Sequence, residues 1–246
     1  MDGIIIVTGC SGRIGTSVIK RLGSAYPVVG FDIAEPKDEL PGLDFVKVDL
    51  TSDQSVNDGL AHIKSKYGNR IASVIHLAAY YSFSGAHPEL YNKITVQGTR
   101  RLLEGVKKFD TEQFLFSSTE LIYAPCAVGQ TINENSPIYP KWDYPKSKVI
   151  TEKLIHENRG NIKTVIMRIV GCYDNECHSI PIANQIQRIY EKQLIAHLFP
   201  GNITHGSSYV HLDDLSEAIW LAVQKRKQLT DEFKVLIGED KTLSYE

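Results

Sequence analysis

A tyrosine and a lysine four positions apart are the first candidates for chemistry in this chain of 246 residues. Tyr144 and Lys148 fall in a helical pattern, so their side chains share one face of the helix. A free tyrosine titrates near ~10, but a nearby ammonium favours the phenolate and lowers that pKa. The pair therefore predicts an acid–base centre for an alcohol. The alternative is a surface pair, because Y-x-x-x-K also occurs by chance in many helices.

A glycine-rich segment follows the first apolar run of the chain. Residues 8–15 read T-G-C-S-G-R-I-G. Glycines there allow a tight turn and a close approach of backbone to pyrophosphate, and the following helix points its N–H groups at the same place. The alternative is a tight turn without a ligand. The expected dinucleotide contacts in this loop are Gly9, Ser11, Gly12, Arg13, Ile14 and Gly15.

An acidic residue ends the second apolar run. Asp32 closes V-V-G-F-D at residues 28–32. A carboxylate at this point can accept both hydroxyls of the adenosine ribose and repels a 2′-phosphate, which favours NAD over NADP. Arg13 lies inside the glycine loop and could contact a phosphate, so NADP stays open as the less favoured cofactor. The alternative for Asp32 is a solvated carboxylate at a strand end.

The elements that must position these residues alternate between short β-branched runs and helical patterns. This alternation indicates an α/β fold, a doubly wound parallel sheet of Rossmann type covered on both faces. The predicted strands are residues 3–8, 27–32, 44–48, 73–77, 113–118, 163–169 and 232–237. The predicted helices are residues 14–24, 54–67, 88–109, 143–158 and 212–227.

We expect one NAD-binding domain over residues 1–246. A small C-terminal substrate lobe is expected around residues 174–210 and 232–246, truncated if the chain is a fragment. Residues 243–246 read like the opening of a further helix, with Ser244 as its cap.

The motifs stand in the order of a known family. Residues 8–15 and 144–148 resemble the cofactor loop and catalytic pair of the extended short-chain dehydrogenases, the NAD-dependent epimerase/dehydratase family. Five further stretches match in order: residues 49–50, 74–79, 114–119, Arg168 and residues 209–214. The resemblance implies the Rossmann fold, NAD as cofactor and an enzyme that transfers a hydride.

The resemblance also implies roles for single residues. Thr119 would orient the substrate hydroxyl, and Ser118 would replace it if the register were shifted by one. Tyr144 would take the hydroxyl proton while hydride leaves the same carbon, and Lys148 would also hold the nicotinamide ribose. The further cofactor contacts implied are Asp49, Leu50, Leu77, Ala78, Ala79 and Ser117.

Departures from the family pattern bear on the substrate. Leu121 stands where the family's 4,6-dehydratases carry a glutamate, and leucine cannot take a proton, so dehydration is not expected. Gly171 and Ser207 replace an asparagine and an arginine of the sugar-nucleotide members. A nucleotide sugar is therefore suggested by the family but weakened by these residues. The apolar segment at 180–200 indicates packing, or a less polar alcohol of sterol-like or acyl type.

Three functions follow from these observations. The leading one is an NAD-dependent epimerase or alcohol oxidoreductase acting on a small molecule. The second is an oxidoreductase for a less polar alcohol, and the third is a non-catalytic NAD-sensing domain of a larger protein. The family commonly pairs through helices corresponding to residues 88–109 and 143–158, which implies a homodimer.

Plain structural roles are expected for four polar residues near these motifs. His76 and His211 lie beside apolar residues and are expected to be packed, hydrogen-bonded histidines rather than catalysts. Asp213 and Asp214 precede a helical run and are expected to cap it.

Composition excludes several partners. The formal net charge is −2 and the basic residues are scattered, so no face for nucleic acid or anionic lipid is expected. No stretch approaches ~20 apolar residues. Four cysteines without a C-x-x-C pair favour free thiols, a reducing compartment and a cytoplasmic protein. A zinc site at Cys172, Cys177 and His178 is the less favoured alternative, so no metal is expected.

Overall fold

The computed structural model describes residues 3–23, 25–82, 86–127, 130–198 and 208–238. The strands are β1 (Ile4–Thr8), β2 (Val28–Asp32), β3 (Leu43–Lys47), β4 (Arg70–His76), β5 (Asp110–Thr111), β6 (Gln113–Thr119), β7 (Lys163–Ile169), β8 (Gly171–Tyr173), β9 (Tyr209–His211) and β10 (Glu232–Ile237). The α-helices are α1 (Arg13–Leu22), α2 (Asp53–Tyr67), α3 (Gln97–Val106), α4 (Asp143–Asn158), α5 (Ile180–Tyr190) and α6 (Leu212–Gln224). A π-helical turn (Tyr91–Val96) leads into α3, and 3₁₀ turns cover Glu120–Ile122 and Leu194–His197.

The main sheet is parallel throughout. Its strand order is β3-β2-β1-β4-β6-β7-β10, and β5 pairs with the start of β4. The chain builds outward from β1 on one side through β2 and β3, and on the other side from β4 onward. This order confirms the predicted doubly wound α/β fold, whose ligand crevice lies at the carboxyl edge where the strand order reverses.

Both faces of the sheet are buried under helices. Along β1, Ile4 and Ile6 pack into the core beneath α2, α3 and α4, whereas Ile5 and Val7 pack into the core beneath α1 and α6. Strands buried on both faces need continuous apolar runs, which is why β1 has five buried residues in succession. The two cores hold the carboxyl ends of the parallel strands along one edge of the sheet.

The predicted main strands all occur, with ends shifted by three residues or fewer. The largest shift is in β4, which begins at Arg70 rather than residue 73. The helix predicted over 88–109 is a π-helical turn followed by α3. The structure adds the short strands β5, β8 and β9, and helix α5, which begins with Pro181 in its first turn.

The region of the expected substrate lobe has two parts. Strands β8 and β9 form a separate two-stranded parallel sheet, and α5 follows β8 without burying any residue. Residues 232–237 instead pair along their whole length with β7 and belong to the main sheet, contrary to their assignment to the lobe. The helix opening predicted at residues 243–246 lies outside the described residues. The single domain over residues 1–246 and its substrate lobe stay a prediction.

No helix in the described ranges is both long enough and apolar enough to cross a lipid bilayer.

Candidate active site and cofactor groove

A cavity of about 700 Å³ opens at the carboxyl edge of the main sheet. The glycine loop forms one wall, and the ends of β4, β6 and β7 form the floor. The first turns of α4 and α5 and the ring of Tyr209 complete it. The predicted site residues that line the cavity are Gly9, Gly12, Arg13, Ile14, Gly15, Leu77, Ala79, Ser117, Ser118, Thr119, Tyr144 and Lys148.

Five predicted cofactor contacts do not line this cavity: Ser11, Asp32, Asp49, Leu50 and Ala78. Four of them follow the neighbouring strands β1, β2 and β3 at the same sheet edge. Asp49 is exposed and accepts a hydrogen bond from the Thr51 amide at 2.8 Å, whereas Leu50 is buried. These positions lie along the carboxyl edge of the sheet on the β2 and β3 side of the cavity. We call the cavity together with this stretch of the edge the cofactor groove.

The glycine loop is packed too closely for side chains. Gly9 has a φ of +72°, and a Cβ there would lie 2.9 Å from the Ala78 amide nitrogen. A Cβ on Gly15 would lie 2.2 Å from the Gly9 carbonyl oxygen. Helix α1 begins after Gly12 with no side-chain cap and no acidic residue in its first turn. Its N–H groups and positive dipole end therefore fit a pyrophosphate.

Two amides hold Asp32 at the end of β2. Ser11 N–H donates to its Oδ2 at 3.1 Å, and Ile33 N–H donates to its Oδ1 at 2.7 Å. Arg13 pairs with Asp174 after β8, with Nε 3.4 Å from Oδ2. The carboxylate at the β2 end therefore keeps its acceptor character, as an adenosine ribose contact requires.

The candidate catalytic residues come from β6 and α4. Thr119 ends β6 and is buried, and its hydroxyl accepts from the Leu121 amide at 3.3 Å. It also lies beside Tyr144 in the first turn of α4, where it favours the phenolate. Lys148 is 2% exposed, and its Nζ donates to the Ser117 carbonyl at 2.6 Å. Its Nζ also lies 5.6 Å from the centroid of the Tyr144 ring. The phenol of Tyr144, the hydroxyl of Thr119 and the ammonium of Lys148 therefore line the same cavity.

Ser118 has a different partner. Its hydroxyl donates to the buried carboxylate of Glu152, which forms a two-pronged ion pair with Arg168, at 3.2 Å from Nε and 2.8 Å from Nη2. Arg168 also donates to the Tyr123 hydroxyl at 2.8 Å. The Ser118 hydroxyl is thus engaged by Glu152, and Thr119 supplies the hydroxyl that lies beside Tyr144. Glu152 was not singled out in the sequence, although it follows Lys148 by one helical turn.

Burial controls the protonation of the pair. It raises the pKa of Tyr144, and Tyr81 and Tyr91 add to the effect, with ring centroids 4.8 Å and 6.4 Å away; the Thr119 hydrogen bond opposes it. Burial also lowers the pKa of Lys148 to about 7, against the opposing charge of Glu152. In the protein without NAD, burial thus raises the pKa of Tyr144; the predicted lowering by Lys148 together with the positive nicotinamide of NAD⁺ stays a prediction for the complex.

The two histidines occupy structural positions, as predicted. His76 is fully buried and bonds to hydroxyls of Thr8 and Thr99. His211 caps α6 by accepting from the Asp213 amide at 3.2 Å. The predicted caps Asp213 and Asp214 lie instead in the first turn of α6, where their charge favours the helix dipole.

The substrate side of the cavity contains two residues that sequence reasoning missed, Tyr81 and His178. Ile180 and Pro181 of the predicted apolar segment and Tyr209 of the 209–214 stretch also line it. A Cβ on Gly171 would lie 2.6 Å from the Tyr209 ring, so this ring takes the space beside the glycine that departs from the family pattern. The replacement of asparagine by glycine at 171 was the available signal, but the partner ring lies 38 residues further along the chain.

The four cysteines are free thiols. His178 bonds through Nδ1 to Asp174 at 2.9 Å. Within the ranges that the structure describes, no cluster of three or more His, Cys, Asp or Glu side chains is arranged to hold a metal ion.

Sequence comparison finds relatives of two chemical kinds. The UDP-glucose 4-epimerase of Streptomyces lividans is 27% identical over 92% of this chain and 73% of its own length. The human 3 beta-hydroxysteroid dehydrogenase type 7 is 25% identical over 96% of this chain and 66% of its own length. The chain thus spans about two thirds to three quarters of the length of these relatives.

Structure comparison and the family model agree with these relatives. The UDP-glucose 4-epimerase of Thermus thermophilus, solved in complex with NAD, superposes with a TM-score of 0.76 at 26% identity, covering 97% of this chain and 79% of that one. The model of the NAD dependent epimerase/dehydratase family matches residues 5–238. This match confirms the predicted enzyme class and NAD as cofactor. The chain belongs to the NAD dependent epimerase/dehydratase family.

Proposed function

We propose that this protein is an NAD-dependent oxidoreductase or epimerase that acts on a secondary alcohol at the cavity described above. The observation that carries the proposal is the convergence of Thr119, Tyr144 and Lys148 on one cavity beside the glycine loop. Bound NAD supplies the acceptor for the hydride. The predicted loop and strand-end residues, with Asp32 at the ribose, are the proposed cofactor contacts.

Each residue of the trio has a distinct task. Thr119 binds and orients the substrate oxygen, and Tyr144 exchanges a proton with that oxygen as the carbon loses or regains its hydride. The raised pKa of Tyr144 keeps the phenol protonated at neutral pH, which suits proton donation to a ketone oxygen. Proton abstraction from an alcohol needs added positive charge near the phenol, and Lys148 is the nearby group that carries it.

A nucleotide sugar is the first candidate substrate, because the bacterial and archaeal relatives include UDP-glucose 4-epimerases. In epimerisation, the hydride returns to the opposite face of the same carbon, so no reduced cofactor is released. Incubation with NAD and UDP-hexoses therefore tests this candidate: interconversion of the sugars without accumulation of NADH is the expected result.

A less polar alcohol is the second candidate, and the character of the cavity wall favours it. Much of the cavity lining outside the predicted cofactor contacts consists of aliphatic and aromatic side chains: Tyr81, Leu121, Ile169, Val170, Ile180, Pro181 and Tyr209. The 3 beta-hydroxysteroid dehydrogenase relative points the same way. A sterol-like alcohol would give NADH in equal amount to the ketone, which absorbance at the reduced nicotinamide band measures.

The Tyr144→Phe substitution tests the chemistry. Loss of the phenolic proton is expected to lower kcat by about 10²–10⁴-fold, while the Kd for NAD stays within about twofold because the ring remains. Tyr139→Phe is the matched control, since Tyr139 lies five residues earlier and is 65% exposed. Equal turnover in Tyr144→Phe and wild type would contradict the role of Tyr144, whereas a wild type that binds NAD but turns over no alcohol would support an NAD-sensing domain.

We further propose a cytoplasmic homodimer that pairs through residues 88–109 and 143–158. An exposed isoleucine on the outer side of α4, Ile150, supports this surface. Scattered basic residues support a small-molecule substrate over nucleic acid or membrane as partner.

A further inference from the structure

A series of buried hydrogen bonds lies beneath the cofactor groove, and none of its members is a proposed catalytic residue. It contains Thr8 on β1, His76 at the end of β4, and Thr95 and Thr99 on the helix after it. All four residues are fully buried. The distances are 2.7 Å from Thr8 Oγ1 to His76 Nδ1, 2.8 Å from His76 Nε2 to Thr99 Oγ1, and 2.5 Å from Thr99 Oγ1 to the Thr95 carbonyl.

The direction of donation along this series of hydrogen bonds follows from the carbonyl at its end. A carbonyl can only accept, so the single hydroxyl proton of Thr99 goes to Thr95, and Thr99 must accept from His76 Nε2–H. A neutral imidazole protonated at Nε2 has an acceptor at Nδ1, so the Thr8 hydroxyl donates to it. Burial lowers the pKa of His76 to about 3, and the charge of Lys148 adds to the effect, so the ring is neutral.

The residues at both ends of this series of hydrogen bonds, Thr8 and Thr95, hold the backbone that follows β4. The Ala78 amide donates to Thr8 Oγ1 at 3.2 Å, and the Tyr80 amide donates to Thr95 Oγ1 at 3.0 Å. The residue between them, Ala79, lines the cavity. The same network reaches the lysine, because Ser117 Oγ donates to the His76 carbonyl at 3.2 Å and the Ser117 carbonyl accepts from Lys148.

We propose that His76 is a positioning residue, whose Nε2-protonated ring links Thr8 to Thr99 and thereby fixes the backbone of residues 78–80 as the floor of the cofactor groove. The proposal rests on the proposed function, since it assigns the network a role in NAD binding. A histidine suits this place because it is the neutral side chain that donates at one ring nitrogen and accepts at the other.

Three variants separate positioning from simple stabilisation. Thr99→Val keeps the shape but removes the acceptor of His76, whereas Thr99→Ser keeps the hydroxyl. Ser73→Ala is the stability control: it removes another buried hydrogen bond of β4, from Ser73 Oγ to Gln113 Oε1 at 2.5 Å, distant along the strand from the groove. Titration calorimetry with NAD and thermal unfolding without NAD are measured for each.

We expect Thr99→Val to raise the Kd for NAD about tenfold, which corresponds to about 1.4 kcal/mol. Thr99→Ser should stay within about threefold. Ser73→Ala should lower the melting temperature and leave the Kd unchanged. An unchanged Kd in Thr99→Val, or a Kd that rises with falling stability in all three variants alike, would overturn the inference.

A measurement on the wild type needs no variant. In a ¹⁵N spectrum of the histidine rings, His76 should show a protonated Nε2 and a bare Nδ1 across the pH range in which the protein is folded. Protonation at Nδ1 would overturn the inference while leaving the proposed function intact. If the wild-type protein bound no NAD, that result would instead contradict both the proposed function and the inference.

Discussion

At the scale of single residues, the candidate site contains a basic group that is costly to bury. Lys148 is almost inaccessible, and burial lowers its pKa from 10.5 to about 7. Its one hydrogen bond to the Ser117 carbonyl does not replace the water that the ammonium loses. The residue therefore serves the proposed chemistry at the expense of stability.

This cost predicts a pH-dependent difference between wild type and Lys148→Met. Between about pH 7 and 10.5, the unfolded chain binds more protons than the folded one, so wild-type stability rises with pH across that window. Below about pH 7 the lysine is protonated in both the folded and the unfolded state, so the full cost of burying its charge lowers the stability of the wild type. Methionine does not titrate, so at pH 7 the variant should be more stable by on the order of 1–3 kcal/mol, a gap that narrows toward pH 10.

Urea unfolding of the protein without NAD at pH 6.5, 8 and 9.5 measures this gap. Lys146→Met, on the exposed side of the same helix, provides the comparison and should show no such narrowing. A gap between Lys148→Met and wild type that stays constant with pH would refute the assignment of the cost to the buried charge.

The sequence allowed the positions of the trio to be predicted but not the protonation of its tyrosine. Spacing on a helix brings Tyr144 and Lys148 to one face, and that is a local property. The pKa of Tyr144 depends on Tyr81 and Tyr91, which lie more than fifty positions away. Desolvation by distant residues is decided by the tertiary fold and leaves no local pattern.

At the scale of elements, the junction of β1 and α1 depends on backbone contact. The Gly15 position allows the start of α1 to lie against the Gly9 carbonyl, and this contact sets the shape of the turn. Helix α1 then presents its uncapped end to the groove.

Gly15→Ala should therefore open the turn. A Cβ would stand 2.2 Å from the Gly9 carbonyl oxygen, so backbone must move. We expect a loss of about 1–3 kcal/mol in the free energy of unfolding and a Kd for NAD raised at least about tenfold. Gly23→Ala is the matched control, because Gly23 follows the same helix with an ordinary φ of −61°. Titration calorimetry measures the Kd for NAD in both variants. A wild-type Kd in Gly15→Ala would show that the contact between Gly15 and the Gly9 carbonyl does not shape the binding site.

Elements with a strong periodic signal were predicted well, and weak ones were not. β1, β6 and β7 each contain at least three consecutive apolar residues and are buried along almost their whole length, because both of their faces are covered. Strands β8 and β9 have three residues each, too few for any period to show. The isoleucine-rich sequence of α5 predicts part of an apolar lip rather than a helix. The structure has a helix there, and none of its residues is buried.

At the scale of the whole molecule, the surface of α4 bears on the proposed homodimer. Ile150 is 53% exposed, between inward-facing residues such as Lys148 and Thr151. Ile150 therefore marks a position on the outer face of α4 at which the proposed contact can be tested.

Ile150→Lys is expected to convert a dimer into a monomer, because it places a charge in the proposed contact. Its melting temperature at low concentration should match the wild type, since the side chain is exposed in the single chain. Ile186→Lys on α5 is the control, with a similar exposure of 49% and no place in the proposed contact. Light scattering after gel filtration would refute the surface if the wild type were monomeric or Ile150→Lys stayed dimeric.

The strand order of the main sheet has a consequence for synthesis on the ribosome. From β1, each later strand joins an outer edge of the strands already present: β2 and β3 on one side, then β4, β6, β7 and β10 on the other. No strand has to enter between two that are already paired. The sheet can therefore grow as the polypeptide emerges, with the dinucleotide loop flanked on both sides as soon as β4 is made. Tyr144 and Lys148 are added to a groove that already exists.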